Sequence, residues 1–300
     1  MIRLQAPAKL NLYLRVLGRR PDGYHEIETL FERIDLADEL TFEPADDLQL
    51  TCNDQQLSSG EDNLVIKAAR ALQQHAGTTQ GAHIHLTKRI PIAAGLGGGS
   101  SDAATTLVGL NHLWGLRLGR PTLLELANTL GSDIAFFLLD ESPFAIGRGR
   151  GERCESFVPT GIQQLTHILV APSERLSTKD VYTDGEFNLT ASKPSITMLL
   201  HAFSNGSLSE LAQGLWNDLE PEAIRRCPVI ARIQASLHEL GCLGVRVSGS
   251  GSAVFGLCRD SAHAQQLSRA LRQAADRSWQ IHIVRTATTP ALASVYGSAV

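Results

Sequence analysis

The sequence predicts an α+β fold with two domains. Segments with the alternating apolar pattern of strands recur between segments with the helical spacing of apolar residues. The chain has 300 residues, which is long for one small core and ordinary for two domains. A glycine-rich stretch at residues 147–161 has the composition of a linker. We therefore place the boundary near residues 155–160, which gives domains of residues 1–157 and 158–300.

The first half contains four predicted strands and three predicted helices. The first strand alternates leucines with polar residues, so it has one polar face that carries Lys9 and Asn11. Asn63 precedes the first helix, and serines 100 and 101 look like caps of the second. The strands are predicted at residues 9–16, 36–47, 48–52 and 83–90, and the helices at residues 64–76, 101–107 and 122–130.

The second half continues the mixture of strands and helices. Its predicted strands lie at residues 166–170, 245–248, 253–257 and 280–286, and its predicted helices at residues 195–202, 208–215, 228–240 and 262–274. A short glycine and serine loop, residues 249–252, joins two of these strands. The sequence of the tail, residues 287–300, predicts no role for it.

Composition and charge exclude some classes of function. The formal net charge is −4 and the isoelectric point is about 6.2, which argues against broad binding to nucleic acid or anionic membranes. Five dispersed cysteines without a C-x-x-C pair are typical of reduced thiols. The sequence shows neither the apolar core of a signal peptide nor a run of about 18 apolar residues. We therefore expect a cytoplasmic protein.

The segment at residues 91–101 is the strongest candidate for a ligand site. It places four glycines and two serines between a predicted strand and a predicted helix. Glycines let a backbone approach a ligand closely, and a helix N-terminus attracts anions. The segment matches neither the P-loop nor the dinucleotide-binding pattern. A plain turn before a helix is the alternative, but we favour a polyphosphate site.

Three ordered motifs resemble those of the GHMP kinases. The central motif is the glycine segment itself, and the outer two lie near the chain ends: residues 6–12, 91–104 and 247–255. The resemblance implies an N-terminal domain like the second domain of ribosomal protein S5 and a ferredoxin-like C-terminal domain. It also implies an active site between them, with ATP as cosubstrate and Mg²⁺ bridging its phosphates.

Three further segments resemble the branch of this family that phosphorylates a cytidine diphosphate-linked polyol. They are residues 19–27, 131–137 and 147–152. Ala135 stands where the usual pattern has proline. We expect a small-molecule substrate, no nucleic acid or membrane partner, and a monomer or weak homodimer. Other GHMP kinase substrates, namely homoserine, mevalonate or a sugar, and a non-catalytic nucleotide-binding regulator are the alternatives.

The resemblance assigns the catalytic roles to Asp133 and Lys9. Asp133 is implied to be the base that accepts the proton of the substrate hydroxyl, although the same position also suits a helix N-cap. Lys9 would keep Asp133 ionised and offset phosphoryl charge, whereas a strand lysine is commonly solvent-facing. Asn11, on the same strand face, is expected to contact the substrate.

The resemblance also assigns the binding residues. Tyr24 and His25 are implied to recognise cytosine, with Tyr182 as a second wall of that slot or as ordinary packing. Asn63 is implied to lie near the adenine, or to be only a helix cap. The residues expected to bind the ATP phosphates are Pro91, Gly95, Leu96, Gly97, Gly98, Gly99, Ser100 and Ser101.

Three further features of the sequence are not assigned catalytic roles. We read Asp102 as a carboxylate in the first turn of its helix that suits the helix dipole, rather than as a water-mediated magnesium ligand. His83 and His85 share a strand face without a third ligand nearby, so we expect no metal site there. Ser250 and Gly251 are expected to close the phosphate region.

Overall fold

The structure, a computed structural model, describes residues 1–185, 187 and 193–287. Within these residues it contains a seven-stranded sheet and a four-stranded antiparallel sheet, with helices packed on both. The tail beyond residue 287, for which the sequence predicted no role, lies outside the described residues.

The first sheet is built mainly from the first half of the chain. Its strands follow the order β3-β4-β2-β1-β8, and β5 pairs with both β2 and β6. The strands are β1 Ile2–Arg19, β2 His25–Ala45, β3 Leu48–Cys52, β4 Gly81–Thr87, β5 Phe144–Gly149, β6 Arg153–Phe157 and β8 Trp216–Asn217.

The long hairpin of β1 and β2 is buried on both faces. Lys9 and Asn11 are only 4% and 2% exposed, so the solvent-facing alternative for Lys9 is wrong. The prediction also began β2 at residue 36 rather than at His25. Register shifts between β1 and β2 interrupt the period of two that the prediction relied on.

The first half has four helices, which are α1 Leu64–Ala76, α2 Gly98–Leu113, α3 Arg120–Leu130 and α4 Ile134–Phe137. Of these, α2 packs against β1 and β2, and α3 packs against the other three helices. Serine caps were wrongly predicted for α2, because the helix begins earlier, after Gly97 in the left-handed conformation. Asn63 caps α1 and Gly131 ends α3, as predicted.

The glycine-rich stretch predicted as a linker is instead a β-hairpin of the first sheet. Strands β5 and β6 pair across it, and Gly149 and Gly151 have φ angles of 76° and 110° that form its turn. A Cβ at Gly147 would lie 2.7 Å from Phe31 Cε2, so this glycine serves close packing. The predicted division at residue 157 falls after β6 and stays a prediction.

The second sheet and its helices come from the second half. Its order is β11-β7-β10-β9, with β7 Thr166–Ala171, β9 Gly244–Val247, β10 Val254–Cys258 and β11 Gln280–Arg285. The helices are α5 Thr178–Asp184, α6 Ile196–Asn205, α7 Leu208–Gly214, α8 Glu220–Arg226, α9 Val229–Glu239 and α10 Ser261–Ala274. The sequence analysis missed α5, α8 and β8, which are all short.

One hydrophobic cluster joins the two halves. It contains Leu10 and Leu12 of β1 together with Leu169 of β7 and Phe255 of β10. The short strand β8 also crosses from the second half to pair in parallel with β1. These shared contacts hold the two sheets in place relative to each other, and they thereby fix the position of the cleft between the sheets.

Candidate active site

A cleft of about 1100 Å³ opens between the two halves of the chain. Its walls come from the middle and end of β1, the loop before α2, the residues around Asp133, helix α5 and the loop after β9. It brings together the predicted site residues Lys9, Asn11, Tyr24, His25, Asn63, Pro91, Gly95, Leu96, Gly97, Gly98, Gly99, Ser100, Asp133 and Tyr182. Ser101 is the exception, because it is fully buried and does not line the cleft.

The glycine loop is held against the other two motifs so closely that side chains are excluded. Gly95 has φ 77°, and a Cβ there would lie 2.0 Å from the carbonyl oxygen of Ser248. Gly97 has φ 69°, and a Cβ there would lie 3.0 Å from Lys9 Cγ. No side chain of the described residues caps the N-terminus of α2, and residues 98–100 of its first turn line the cleft. An uncapped helix N-terminus is suited to binding an anion.

Lys9 and Asp133 meet at the floor of the cleft. Lys9 Nζ lies 3.6 Å from Asp133 Oδ2 and donates a hydrogen bond to Asn11 Oδ1. Burial lowers the pKa of Lys9, and the nearby charge of Asp133 partly opposes this shift. Asp133 stands at the N-cap position of α4 but makes no capping hydrogen bond. The helix-cap alternative is therefore wrong, and its side chain pairs with Lys9 instead.

Asn11 is fixed by hydrogen bonds that connect the three motifs. Its Nδ2 donates to Thr29 Oγ1 at 2.8 Å, and its backbone N–H donates to Ser248 Oγ at 3.3 Å. Ser248 Oγ in turn donates to the carbonyl oxygen of Gly95 at 3.0 Å. The sequence analysis missed Thr29, because nothing in the pattern of β2 distinguishes it from a solvent-facing threonine.

Aromatic side chains gather at the other end of the cleft. The rings of His25 and Tyr182 stack with centroids 5.4 Å apart, and Phe187 meets His25 edge-on at 5.3 Å. These are distances of direct ring contact, so a base does not fit between His25 and Tyr182. Tyr24 is 54% exposed, and the guanidinium carbon of Arg150 lies 4.9 Å from the centroid of its ring.

Asn63 lines the cleft but its side chain is already engaged. Its Oδ1 accepts from the backbone N–H of Val65 at 2.9 Å, and its Nδ2 donates to the carbonyl oxygen of Ser58 at 2.6 Å. The helix-cap interpretation is thus observed directly. Its contact with the adenine stays a prediction.

Comparison with known proteins identifies the family. Residues 63–141 match the model of the GHMP kinases N terminal domain, and residues 199–277 match that of the GHMP kinases C terminal domain. A 4-diphosphocytidyl-2-C-methyl-D-erythritol kinase of Pelotomaculum thermopropionicum is 41% identical over 95% of this chain and 98% of its own. The chain belongs to the GHMP kinases.

A further relative of this GHMP kinase carries the same name, and two solved structures share its fold. One from Geobacter sp. is 39% identical over 95% of this chain and 99% of its own. A solved structure of 4-(cytidine 5'-diphospho)-2C-methyl-D-erythritol kinase superposes with a TM-score of 0.77 at 36% identity, covering 94% of this chain and 99% of that one. A homoserine kinase from Cytophaga hutchinsonii shares the fold, with a TM-score of 0.75 at 20% identity over 96% of this chain and 95% of that one. The predicted α+β GHMP kinase fold is confirmed, and the family implies ATP as cosubstrate.

The interpretation of Asp102 as a helix-dipole residue is wrong for this GHMP kinase. Because α2 begins at Gly98, Asp102 lies beyond the first turn and pairs with Lys88, whose Nζ is 2.8 Å from Asp102 Oδ2. Lys88 also binds Asp38, which accepts the backbone N–H groups of Arg89 and Ile90. Burial raises the pKa of Asp102 to about 7, although Lys88 opposes the shift.

Several residues that line the cleft of this GHMP kinase were not assigned roles from the sequence. Lys88 lies between β4 and the glycine loop. Its position just before that loop was the only feature of the sequence that pointed to a role for it. Arg19, Arg150 and Lys179 line the aromatic end. The segment at residues 147–152 had been singled out as a motif, but its arginines received no function.

The described residues contain neither a clustered metal-ligand set nor a membrane-spanning helix. Among the described residues, no group of three or more histidine, cysteine or acidic side chains could hold a metal ion. His83 and His85 instead both contact Thr51 Oγ1, at 3.0 and 2.9 Å. No described helix combines the length and apolarity needed to cross a membrane.

Proposed function

We propose that this GHMP kinase transfers the γ-phosphoryl group of ATP to the 2-hydroxyl of 4-diphosphocytidyl-2-C-methyl-D-erythritol. This reaction belongs to the non-mevalonate route to isoprenoid precursors. The observation that carries the proposal is the pairing of Lys9 with Asp133 in the same cleft as the glycine loop. The names of its full-length relatives supply the substrate.

The chemistry assigned to the floor of the cleft is proton removal. Asp133 is 31% exposed on its side chain, so it can reach a substrate hydroxyl and accept its proton as the phosphoryl group arrives. The Lys9 ammonium, 3.6 Å away, pairs with the Asp133 carboxylate and offsets charge on the phosphoryl oxygens. Asn11 holds the Lys9 ammonium and orients it.

The chemistry assigned to the glycine loop is binding of the ATP phosphates. Backbone amides and the dipole at the N-terminus of α2 favour negative charge, and the buried cations of Lys9 and Lys88 lie beside the loop. Pro91, Gly95, Leu96, Gly97, Gly98, Gly99 and Ser100 line this part of the cleft. Ser101 does not line the cleft, and its buried hydroxyl has no hydrogen-bond partner among the described residues.

Magnesium fits this site through a single protein carboxylate. Asp102 lines the cleft, and its Oδ1 is buried without a hydrogen-bond partner among the described residues. Carboxylate oxygens are ligands that Mg²⁺ prefers, commonly through water and together with substrate phosphates. When bound, the ion would neutralise charge on the β- and γ-phosphates. We therefore propose that Asp102 contacts Mg²⁺ through water.

The aromatic end is assigned to the cytosine. We propose that the base lies on the exposed Tyr24 ring and hydrogen-bonds to His25, since direct contact with Tyr182 closes one face of His25. Tyr182 then supports His25 rather than walling a slot. Cytoplasmic location and a monomeric or weakly dimeric state stay predictions.

A substrate panel tests the proposed function. ADP release is measured with ATP and, in separate reactions, the cytidine substrate, homoserine and mevalonate, with the Asp133→Asn variant as background. We expect turnover with the cytidine substrate alone and a new phosphate monoester at its 2-hydroxyl by ³¹P NMR. Comparable turnover of homoserine or mevalonate, or none with the cytidine substrate, would contradict the proposal.

A further inference from the structure

The turn between β5 and β6 lies between the two ends of the cleft. A Cβ at Gly151 would sit 3.5 Å from Asp133 Oδ1, on the catalytic side. The next residue back, Arg150, lies over the Tyr24 ring on the aromatic side, at 4.9 Å. The turn therefore contacts both the proposed base and the proposed cytosine platform.

The guanidinium of Arg150 lies near the carboxylates of Asp22 and Glu152 but, among the described residues, its side chain hydrogen-bonds to neither. Its ion pair with Glu152 has an Nε–Oε2 distance of 3.9 Å, which is too long for a hydrogen bond. Glu152 Oε2 accepts the backbone N–H of Arg150 at 2.6 Å instead. Among the described residues no side-chain hydrogen bond of Arg150 is present, so its donors are available to a ligand.

Cations outnumber carboxylates at this end of the cleft. Arg19, Arg150 and Lys179 line it, in a chain whose net charge is −4. Asp22 lines it too, but its carboxylate is bonded to Arg20 at 3.1 Å and to the backbone N–H of Tyr24 at 3.1 Å. A local excess of positive charge at a cleft wall attracts an anionic group.

Arg148, two residues earlier in the same segment, has a different environment. It lies outside the cleft, is 48% exposed on its side chain, and faces Glu28 at 3.6 Å and Glu155 at 3.8 Å. Arg150 thus faces the cleft, whereas Arg148 faces solvent. This difference supplies a matched control.

We propose that Arg150 binds the diphosphate of the nucleotide-linked substrate and so determines specificity for nucleoside diphosphate esters. The inference rests on the proposed function. In a substrate whose base lies on Tyr24 and whose hydroxyl lies at Asp133, the diphosphate between them must pass the β5–β6 turn. A planar guanidinium offers paired donors to phosphate oxygens, and its stacking on Tyr24 holds it in place.

The two sets of phosphates then occupy different parts of the cleft. The glycine loop takes the polyphosphate of ATP on backbone amides, whereas Arg150 takes the substrate diphosphate on a charged side chain. Homoserine and mevalonate lack a diphosphate and gain nothing from Arg150. The enzyme therefore distinguishes its substrate by the charge of the diphosphate as well as by the base.

Binding measurements separate the diphosphate from the base. Cytidine and cytidine 5'-diphosphate are titrated calorimetrically, with a non-hydrolysable ATP analogue saturating the ATP site, into wild type, Arg150→Ala, Arg150→Lys and Arg148→Ala. We expect Arg150→Ala to weaken cytidine diphosphate about 10- to 100-fold and cytidine only a few-fold. Arg150→Lys should recover part of the loss, and Arg148→Ala should match wild type.

The same titrations show how the inference fails. Unchanged affinity of Arg150→Ala for cytidine diphosphate, or equal losses for cytidine and its diphosphate, would overturn it. The proposed function is tested separately by turnover of the wild type, because these titrations need no catalysis. In steady-state assays we expect Arg150→Ala to raise the KM for the cytidine substrate while the KM for ATP stays within a few-fold.

Discussion

Lys9 is a buried ammonium held between a carboxylate and an amide oxygen. Its 4% exposure and its lowered pKa both show that the protein keeps this cation at a cost in desolvation. The cost is offset in part by Asp133 at 3.6 Å and by Asn11. A residue that destabilises the fold in this way is expected to serve the reaction.

Replacing Lys9 with methionine tests this division between stability and catalysis. Lys9→Met keeps the chain length of the side chain and removes the buried charge. We expect kcat to fall by about 10²- to 10³-fold. The free energy of unfolding should change by no more than about 1 to 2 kcal/mol, because the remaining partner, Asp133, is 31% exposed and is not left as a buried unpaired charge. Lys67→Met, at an exposed position of α1, is the control. A kcat within threefold of wild type would exclude an electrostatic role for Lys9.

Residues far apart in the chain could be predicted as partners only through motif resemblance. Lys9 and Asp133 were paired in this way, and the structure places them together. Thr29 and Asp38 were not found, because their importance arises from contacts to Asn11 and Lys88 that no local pattern encodes. Asp102 was misread because its interpretation depended on where α2 begins.

At the scale of elements, the glycine loop is defined by how closely it approaches the loop after β9. Gly95 combines a φ of 77° with a carbonyl oxygen 2.0 Å from where a Cβ would lie. Both features penalise any side chain, since backbone atoms cannot move aside as a flexible side chain can. The loop therefore keeps its shape only while this position is glycine.

Gly95→Ala is expected to damage both stability and ATP binding. Strain and the clash with Ser248 should lower the free energy of unfolding by about 2 kcal/mol or more, and calorimetry should show weakened ATP binding. Gly119→Ala is the control, because Gly119 has an ordinary φ of −73° and its Cβ would meet Pro121 Cδ at 3.6 Å. If the two variants were equally stable, the close approach of the loop would not constrain the fold.

The elements that the sequence predicted well are those with strong local signals. Helix α1 has an asparagine cap and a regular apolar stripe, and α3 ends at a glycine. The β5–β6 hairpin was taken for a linker, because its glycines serve a turn and packing against Phe31 rather than flexibility. Composition alone does not distinguish these uses of glycine.

At the scale of the whole molecule, the two sheets share buried contacts. The cluster that contains Leu10, Leu169 and Phe255 crosses between them. A polar bridge lies beside it, in which Glu32 of β2 accepts from Thr286 at 2.6 Å and contacts His167 at 2.8 Å. All three side chains are buried, so separating the halves would expose apolar surface and break this bridge.

We therefore expect the chain to unfold as one cooperative unit despite its two sheets. Differential scanning calorimetry should give a single transition whose calorimetric and van't Hoff enthalpies agree. Phe255→Ala removes a shared core residue and should lower the single transition temperature rather than split it. Two separated transitions in the wild type would show that the halves are energetically independent.

The sequence predicted two halves and a site between them, but not how tightly they are joined. The presence of Phe255 and the β1 leucines in one hydrophobic cluster depends on tertiary packing, which periodicity cannot reveal. The short strand β8 has only two residues, too few for any pattern. The position of the cleft followed from the family resemblance and not from the pattern of strands and helices.

The most direct test of the account is single-turnover transfer from [γ-³²P]ATP to the cytidine substrate by wild type and Asp133→Asn. Asp140→Asn, a carboxylate outside the cleft that pairs with Arg120, is the control, and calorimetry measures ATP binding in parallel. We expect Asp133→Asn to bind ATP like wild type and to transfer label at least about 10³-fold more slowly. Transfer within tenfold of wild type would contradict the assignment of Asp133 as the base.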